Sequence, residues 1–166
     1  MEEVVPQEFA VGQKHEVTHT LGEQMSPTRA SPFFVGEETT FSEVEDDKLV
    51  RGFADVTGDH NPLHVDDAYA KKTKFGQRIA HGAILFGIIS RVLAEQMPGE
   101  GTVYLSQLIN FRAPVFINEK VTLEATITEL LPKNGAKIST VIKKQTGQVV
   151  ADGEATVKLP LRPAKV

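Results

Sequence analysis

The sequence predicts an α+β domain in which a curved antiparallel sheet of about five strands wraps one long apolar helix. Three observations predict it. Residues 82 to 96 place Ala83, Ile84, Leu85, Phe86, Ile88, Ile89, Val92 and Leu93 on almost every face of a helix, and such a helix belongs inside a protein. Beyond Pro98-Gly99 the chain is β-rich, and Val121, Leu123, Ala125 and Ile127 alternate with Thr122, Glu124, Thr126 and Thr128, the period of a sheet with one buried face. Short turn signals, Asn134-Gly135 above all, join most of the late strands as hairpins, so four sequential strands plus an early one can close over the helix.

The elements follow in order. Residues 1 to 31 read as an N-terminal arm or extra edge strand, or equally as a flexible terminus; their Phe9-Ala-Val-Gly12 is echoed by Phe33-Phe-Val-Gly36. Residues 32 to 160 form the domain, and 161 to 166 are a Pro-rich tail. Val35 to Val44 reads as the first strand of the domain. Asp46 or Asp47 then caps a helix with an acidic first turn, carried by Leu49, Val50, Phe53, Ala54 and Val56 and stopped at Thr57-Gly58. Pro62 makes residues 59 to 64 a loop, because it removes an N–H and pushes Asn61 towards an extended backbone. Asp66 caps a short helix to Lys72, and Lys74 to Arg78 is a loop. After the apolar helix come strands over 102–111, 121–128, 137–144 and 149–159. A sheet wrapped on one helix leaves a free edge, and pairing that edge with a second copy is the obvious remedy.

Composition narrows the class. The 166 residues are 40% hydrophobic and 24% charged, as in a soluble globular protein. A net charge of -4 makes nucleic acid an unexpected partner. With no cysteine there are no disulfides, thiol nucleophiles or thiolate metal sites. The acidic start MEEVVPQEFA is not a signal or transit segment, and the apolar run Ala83 to Ile89 is far short of a membrane span. The expectation is a cytoplasmic protein without membrane contact.

The chemistry-bearing residues are Asp59, His60, Asn61 and His64. Four readings compete. A metal site would use His60 and His64, but the four-residue spacing works only on a helix, which Pro62 forbids, and no third ligand stands at a recognisable spacing. A turn reading suits Asp59 and Asn61 singly and explains His64 less well. A nucleophilic triad would use Thr57 or Ser90, but lacks the Gly-x-Ser-x-Gly elbow. An acid–base pair fits best: a carboxylate and an imidazole can bracket one water, and histidine titrates near neutrality. Such a pair needs a stabiliser for charge on a substrate carbonyl. Gly82, opening the apolar helix, offers a backbone N–H backed by the helix dipole. Close packing of the helix end against the sheet explains the same glycine equally well.

Thr57-Gly58-Asp59-His60-Asn61-Pro62-Leu63-His64, followed by Ile79-Ala80-His81-Gly82, resembles the hydratase 2 motif of the MaoC-like (R)-specific enoyl-CoA hydratases. The resemblance continues through Met97-Pro98-Gly99, Tyr104 to Gln107, Phe111 to Phe116 and Gly153 to Val157. It implies a hot-dog fold, paired into a homodimer or a higher oligomer. It also implies reversible syn hydration of a trans-2-enoyl thioester to the (R)-3-hydroxyacyl thioester, or the reverse dehydration, with no cofactor. By the resemblance Asp59 and His64 are the catalytic pair, Asn61 supports them, and the Gly82 N–H is the oxyanion donor. His60 falls on a variable position, and His81 is expected to hold the helix entry. The substrate is an acyl-CoA or an acyl carrier protein thioester. Its acyl chain needs an apolar wall, for which Ile84, Leu85, Ile88, Ile89, Ser90 and Leu93 are candidates, and its carrier needs cations at the mouth, for which Lys71, Lys72, Lys74, Arg78 and Arg112 are candidates. The rivals on this fold are a non-catalytic acyl-thioester-binding subunit and an acyl-CoA thioesterase.

Overall fold

The computed structural model describes residues 16–18, 33 and 35–160. The expectations for Phe9-Ala-Val-Gly12 and for the tail lie outside the described residues. The elements are β1 (Glu16–Thr18), β2 (Glu38–Val44), α1 (Asp47–Thr57), α2 (Pro62–Val65), α3 (Asp67–Ala70), α4 (Gly82–Glu95), β3 (Val103–Phe111), β4 (Lys120–Leu131), β5 (Gly135–Lys144) and β6 (Val149–Lys158). They build one sheet in the order β1-β2-β4-β5-β6-β3, with β1 parallel to β2 and every other pair antiparallel.

The helix–sheet core forms as the pattern predicts. Ile84, Leu85, Ile88, Ile89, Val92 and Leu93 of α4 are buried. They meet Val121, Leu123, Ala125 and Ile127 of β4, Ala136, Ile138 and Ile142 of β5, and Ala151, Ala155 and Val157 of β6. Helix α1 also matches: the Asp46 carboxylate accepts from Leu49 N–H, and Gly58 closes the helix in the left-handed region with its N–H on the Ala54 carbonyl.

Several expectations need correction. β3 does not turn back onto β4. It pairs with β6 at the far edge, and residues 112–119 carry the chain across to β4, with Arg112 N–H on the Val150 carbonyl at one end and Asn118 N–H on the Glu45 carbonyl at the other. Alternation marks a strand's faces and leaves its neighbours open. β3 lies so close to β6 that a Cβ on Gly153 would stand 1.8 Å from the Leu108 carbonyl oxygen. The β4–β5 turn centres on Lys133 and Asn134, both at φ 58, a type I′ geometry one residue earlier than Asn134-Gly135 suggests. β2 begins at Glu38, since Gly36 at φ 91 interrupts the run from Val35. A register shift puts the buried side chain at Val150 instead of Val149. α4 is not enclosed all round: Phe86 is 41% exposed, and Ala83 and Gly87 share that open side. The sheet wraps one face of the helix only.

Pro62 opens a helix where a loop was expected. As the first residue of α2 it loses no bond, because a first-turn N–H has no intrahelical acceptor, and Asn61 caps that turn through Leu63 N–H. α3 stops at Ala70, short of Lys72.

The corner between β2 and α1 holds a buried acid. Glu45 is fully buried, and neither carboxyl oxygen has a hydrogen-bond partner among the described residues. Burial first, then the negative charges of Glu43 and Asp46, push its carboxyl up to about 7. A raised folded-state value means that the folded chain binds more protons than the unfolded one between about pH 4.5 and 7, so stability falls as pH rises through that window. Glu45→Gln is therefore expected to gain roughly 2 kcal/mol over the parent at pH 8 and little at pH 4.5. Urea midpoints at the two pH values measure it, and a gain independent of pH would contradict the assignment.

Candidate active site

The site forms where α1 ends. Gly58 turns the chain, and Asp59 N–H reaches back to Thr57 Oγ1 at 3.3 Å. Asp59 Oδ1 accepts from Asn61 N–H at 3.3 Å, and Asn61 Oδ1 accepts from Leu63 N–H at 3.0 Å. Two Asx turns in succession set the loop, and the second places His64 on the single turn of α2. The turn reading of Asp59 and Asn61 is present in the structure, and these turns use only Oδ1 of Asp59; its Oδ2 lies 4.0 Å from His81 Nε2.

His64 Nδ1 lies 2.8 Å from the Ile79 carbonyl. A carbonyl only accepts, so Nδ1 carries a proton, and in the neutral ring the lone pair is on Nε2. One side-chain oxygen or nitrogen from each of Asp59, His64 and His81 lies within 4.8 Å of the other two. That is less than two hydrogen-bond lengths of about 2.8 Å, the span that a single water can bridge. The Asp59 side chain is 52% exposed.

His81 joins this pair, although nothing in its spacing from Asp59 announces it. It stands at the entry of α4, as expected, but makes no side-chain cap bond. Its Nε2 instead donates to the Asp59 carbonyl at 2.9 Å, and its ring lies 3.9 Å from the His64 ring and 4.9 Å from Phe53. The three side chains suit a metal poorly. Nδ1 of His64 and Nε2 of His81 are taken by carbonyls, which leaves each ring a single nitrogen for an ion.

Arg78 was a candidate for the substrate's carrier. It is buried instead, with Nε on Asp67 at 2.7 Å and Nη1 on Asp47 at 2.6 Å and on the His64 carbonyl at 3.2 Å. It ties α1, α2 and α3 into one unit. Burial works against its charge, but the bonds to Asp67 and Asp47 outweigh that and hold it protonated. The Arg78 and Arg51 hydrogen bonds hold the Asp47 carboxyl below its ordinary value. Arg112 is equally occupied, donating to both oxygens of Asp152 at 2.6 and 2.9 Å.

Gly82 begins α4 one peptide bond from His81, and its N–H has no acceptor among the described residues. A Cβ there would stand 2.9 Å from the Phe111 ring. Close packing and a free amide are thus both present at this residue. Phe111 ends the strand expected over 102–111, but nothing in the sequence places it against Gly82; it is 56% exposed. Of the proposed acyl wall, Ile84, Leu85, Ile88 and Leu93 are packed in the core, while Ser90 is half-buried on the side of α4 that the sheet leaves open. Two surface clefts, about 370 Å³ beside Lys133 and Lys158 and about 300 Å³ beside Arg51 and His60, lie outside these residues.

A family model described as MaoC like domain matches residues 16–151. The chain belongs to the MaoC-like family. It is 46% identical over 111 residues to a 3-hydroxybutyryl-CoA dehydratase of Methylorubrum extorquens, covering 67% of this chain and 71% of that protein. It is 40% identical to an (R)-specific enoyl-CoA hydratase of Aeromonas caviae, covering 76% of this chain and 95% of the relative. Among solved structures, the Aeromonas caviae (R)-hydratase involved in PHA biosynthesis superposes with a TM-score of 0.76 at 39% identity, over 79% of this chain and all of that one. The unliganded R-hydratase PhaJ1 of Pseudomonas aeruginosa gives 0.75 at 38%, over 77% and 83%. The MaoC-like fold here is the hot-dog: one long helix cradled by an antiparallel sheet.

Within this MaoC-like domain the Arg78 clamp carries a measurable load. Arg78→Gln is expected to lower stability by about 2 kcal/mol at neutral pH. Because Asp47 titrates below its ordinary value, this contribution is present above about pH 4 and fades as pH falls further. Urea unfolding at pH 7 and pH 3.5 tests it; an equal penalty at both would refute the pairing with Asp47.

Proposed function

We infer that the chain catalyses the reversible hydration of trans-2-enoyl thioesters to (R)-3-hydroxyacyl thioesters. Family membership supports it, and the observation that carries it is the placement of the Asp59 and His64 side chains within 4.8 Å, with the His64 Nδ1 proton fixed on Ile79. Asp59 and His64 are both proton acceptors in this state and hold one water between them. One of them takes a proton as the water oxygen bonds to C3. The C2–C3 π electrons move towards the thioester, whose oxygen gains charge next to the Gly82 N–H. The proton is returned to C2 on the same face, and dehydration runs the steps backwards. Asn61 contributes by capping α2 under His64.

The acyl chain is assigned to the side of α4 that the sheet leaves open, where Ser90 stands with Ala83, Phe86 and Gly87; Ile84, Leu85, Ile88 and Leu93 back that side from the core. With Arg78 and Arg112 occupied, Lys71, Lys72 and Lys74 are the exposed cations that remain for the phosphates of CoA or of a carrier protein; none has a carboxylate partner among the described residues. No helix of the described residues is long and apolar enough to cross a membrane.

Asp59→Asn and His64→Ala are each expected to lower hydration of crotonyl-CoA at least about a hundredfold. Loss of enoyl absorbance measures hydration, and a thiol reagent measures free CoA. Near-parental hydration in either variant would overturn the pair, and CoA release in place of enoyl loss would make the protein a thioesterase.

We also propose a homodimer through β3. This strand is a sheet edge, and Val103, Leu105, Leu108 and Phe111 on it are 54, 53, 64 and 56% exposed. Light scattering is expected to give twice the mass of one chain, and Leu108→Asp to shift it towards the monomer. A parent protein that is monomeric at micromolar concentration would contradict the proposal.

A further inference from the structure

The buried histidine beside the pair is the one titratable group at the site to which the reaction gives no step. We propose that His81 is a positioning residue: as the neutral Nε2–H tautomer it holds the Asp59 carbonyl through its donor and the His64 imidazole through its ring, so that one side chain sets both members of the acid–base pair relative to Gly82. The inference rests on the reading of Asp59 and His64 as that pair.

Three features of the geometry lead to it. The bond from Nε2 to the Asp59 carbonyl is 2.9 Å, and only a protonated Nε2 can make it. Nδ1 is buried with no partner among the described residues, so a second proton would bury an N–H without an acceptor. The ring is 2% exposed and lies between Phe53 and His64, which leaves the His64 ring little room to swing about its Nδ1–Ile79 bond. Burial lowers the His81 pKa below its ordinary value; the bond to the Asp59 carbonyl opposes this, the charge of His64 adds to it, that of Asp59 opposes it and that of His60 adds to it. Those three residues are the titratable groups acting on it. The arrangement also explains why α4 starts with a residue whose side chain makes no cap bond: the imidazole is turned towards the loop, and the peptide that follows presents Gly82.

The first test needs no variant. Imidazole 15N shifts of the intact protein between pH 6 and pH 8 are expected to show His81 neutral, with a protonated Nε2 and a bare Nδ1. A cationic ring or a protonated Nδ1 would overturn the proposal. The second test separates donor from ring. His81→Gln keeps an N–H near the Nε2 position and loses the ring; His81→Phe keeps the ring and loses the donor. Each is expected to lower kcat on crotonyl-CoA about tenfold with KM within about twofold. A residue acting through its neighbours has nothing left to act on once they are gone. His81→Phe is therefore expected to cost no further activity in Asp59→Asn, and His81→Gln none in His64→Ala. The same fractional loss in every background would show a merely structural role. If neither variant folds, the tautomer measurement decides alone. If the parent fails to hydrate crotonyl-CoA, the proposed function falls, while the shifts still report whether His81 is held as stated.

Discussion

Burial of α4 against the sheet is the constraint from which the rest follows. Its six buried side chains, at about 1.5–3 kcal/mol each, make it one of the larger apolar contributions in the domain. Conformational entropy offsets most of such a gain, so the helix has little freedom to shift without loss. Its first residue is thereby fixed relative to the strands. A helix N-terminus is useful for stabilising charge only if it does not move when charge develops, and for the role proposed for Gly82 the sheet would supply that rigidity. The open side carrying Phe86, Ala83 and Gly87 shows how asymmetric the burial is: one face anchors, the other is left for whatever approaches.

The loop bearing Asp59 and His64 has no such core beneath it, and it is held by polar bonds instead. Two Asx turns fix its backbone, Arg78 pins the His64 carbonyl to α1 and α3, Ile79 holds the His64 ring, and His81 holds the Asp59 carbonyl. Each bond is worth about 1 kcal/mol net, and their value here lies in direction more than in stability. None of these hydrogen bonds uses Asp59 Oδ2 or His64 Nε2, although Oδ2 lies 4.0 Å from His81 Nε2. A loop arranged for stability alone would have no reason to spare both.

The sequence made the local features legible and left the long-range ones hidden. α4, the caps of α1 and the alternation of β4 are each determined by residues within a few positions of one another, and they stand where the pattern puts them. The place of β3 at the far edge could not be read, because an eight-residue connection with Pro114 excludes a tight hairpin without naming the strand that β3 joins. Pro62 misled: its missing N–H excludes a helix passing through it and favours one beginning at it. At the site, the motif resemblance named Asp59, Asn61, His64 and Gly82, while the parts played by Arg78, His81 and Phe111 needed coordinates. Arg78 lies 31 positions from Asp47, and His81 lies 22 from Asp59, separations over which spacing carries no signal.

Phe111 shows why edge and site belong to one design. It ends β3, the strand with the row of exposed apolar side chains, and its ring fills the space that a side chain on Gly82 would take. Any larger residue at position 82 would meet that ring, and any partner that covers the β3 edge acts on the same ring from outside. A half-exposed aromatic on an unpaired edge is free to change rotamer, and the ground beside the Gly82 amide is free to change with it. Pairing the edge removes that freedom. In the proposed dimer, with the proposed role of the Gly82 amide, assembly and charge stabilisation would be linked by one side chain: the contact that hides apolar surface from water would also hold still the wall beside that amide.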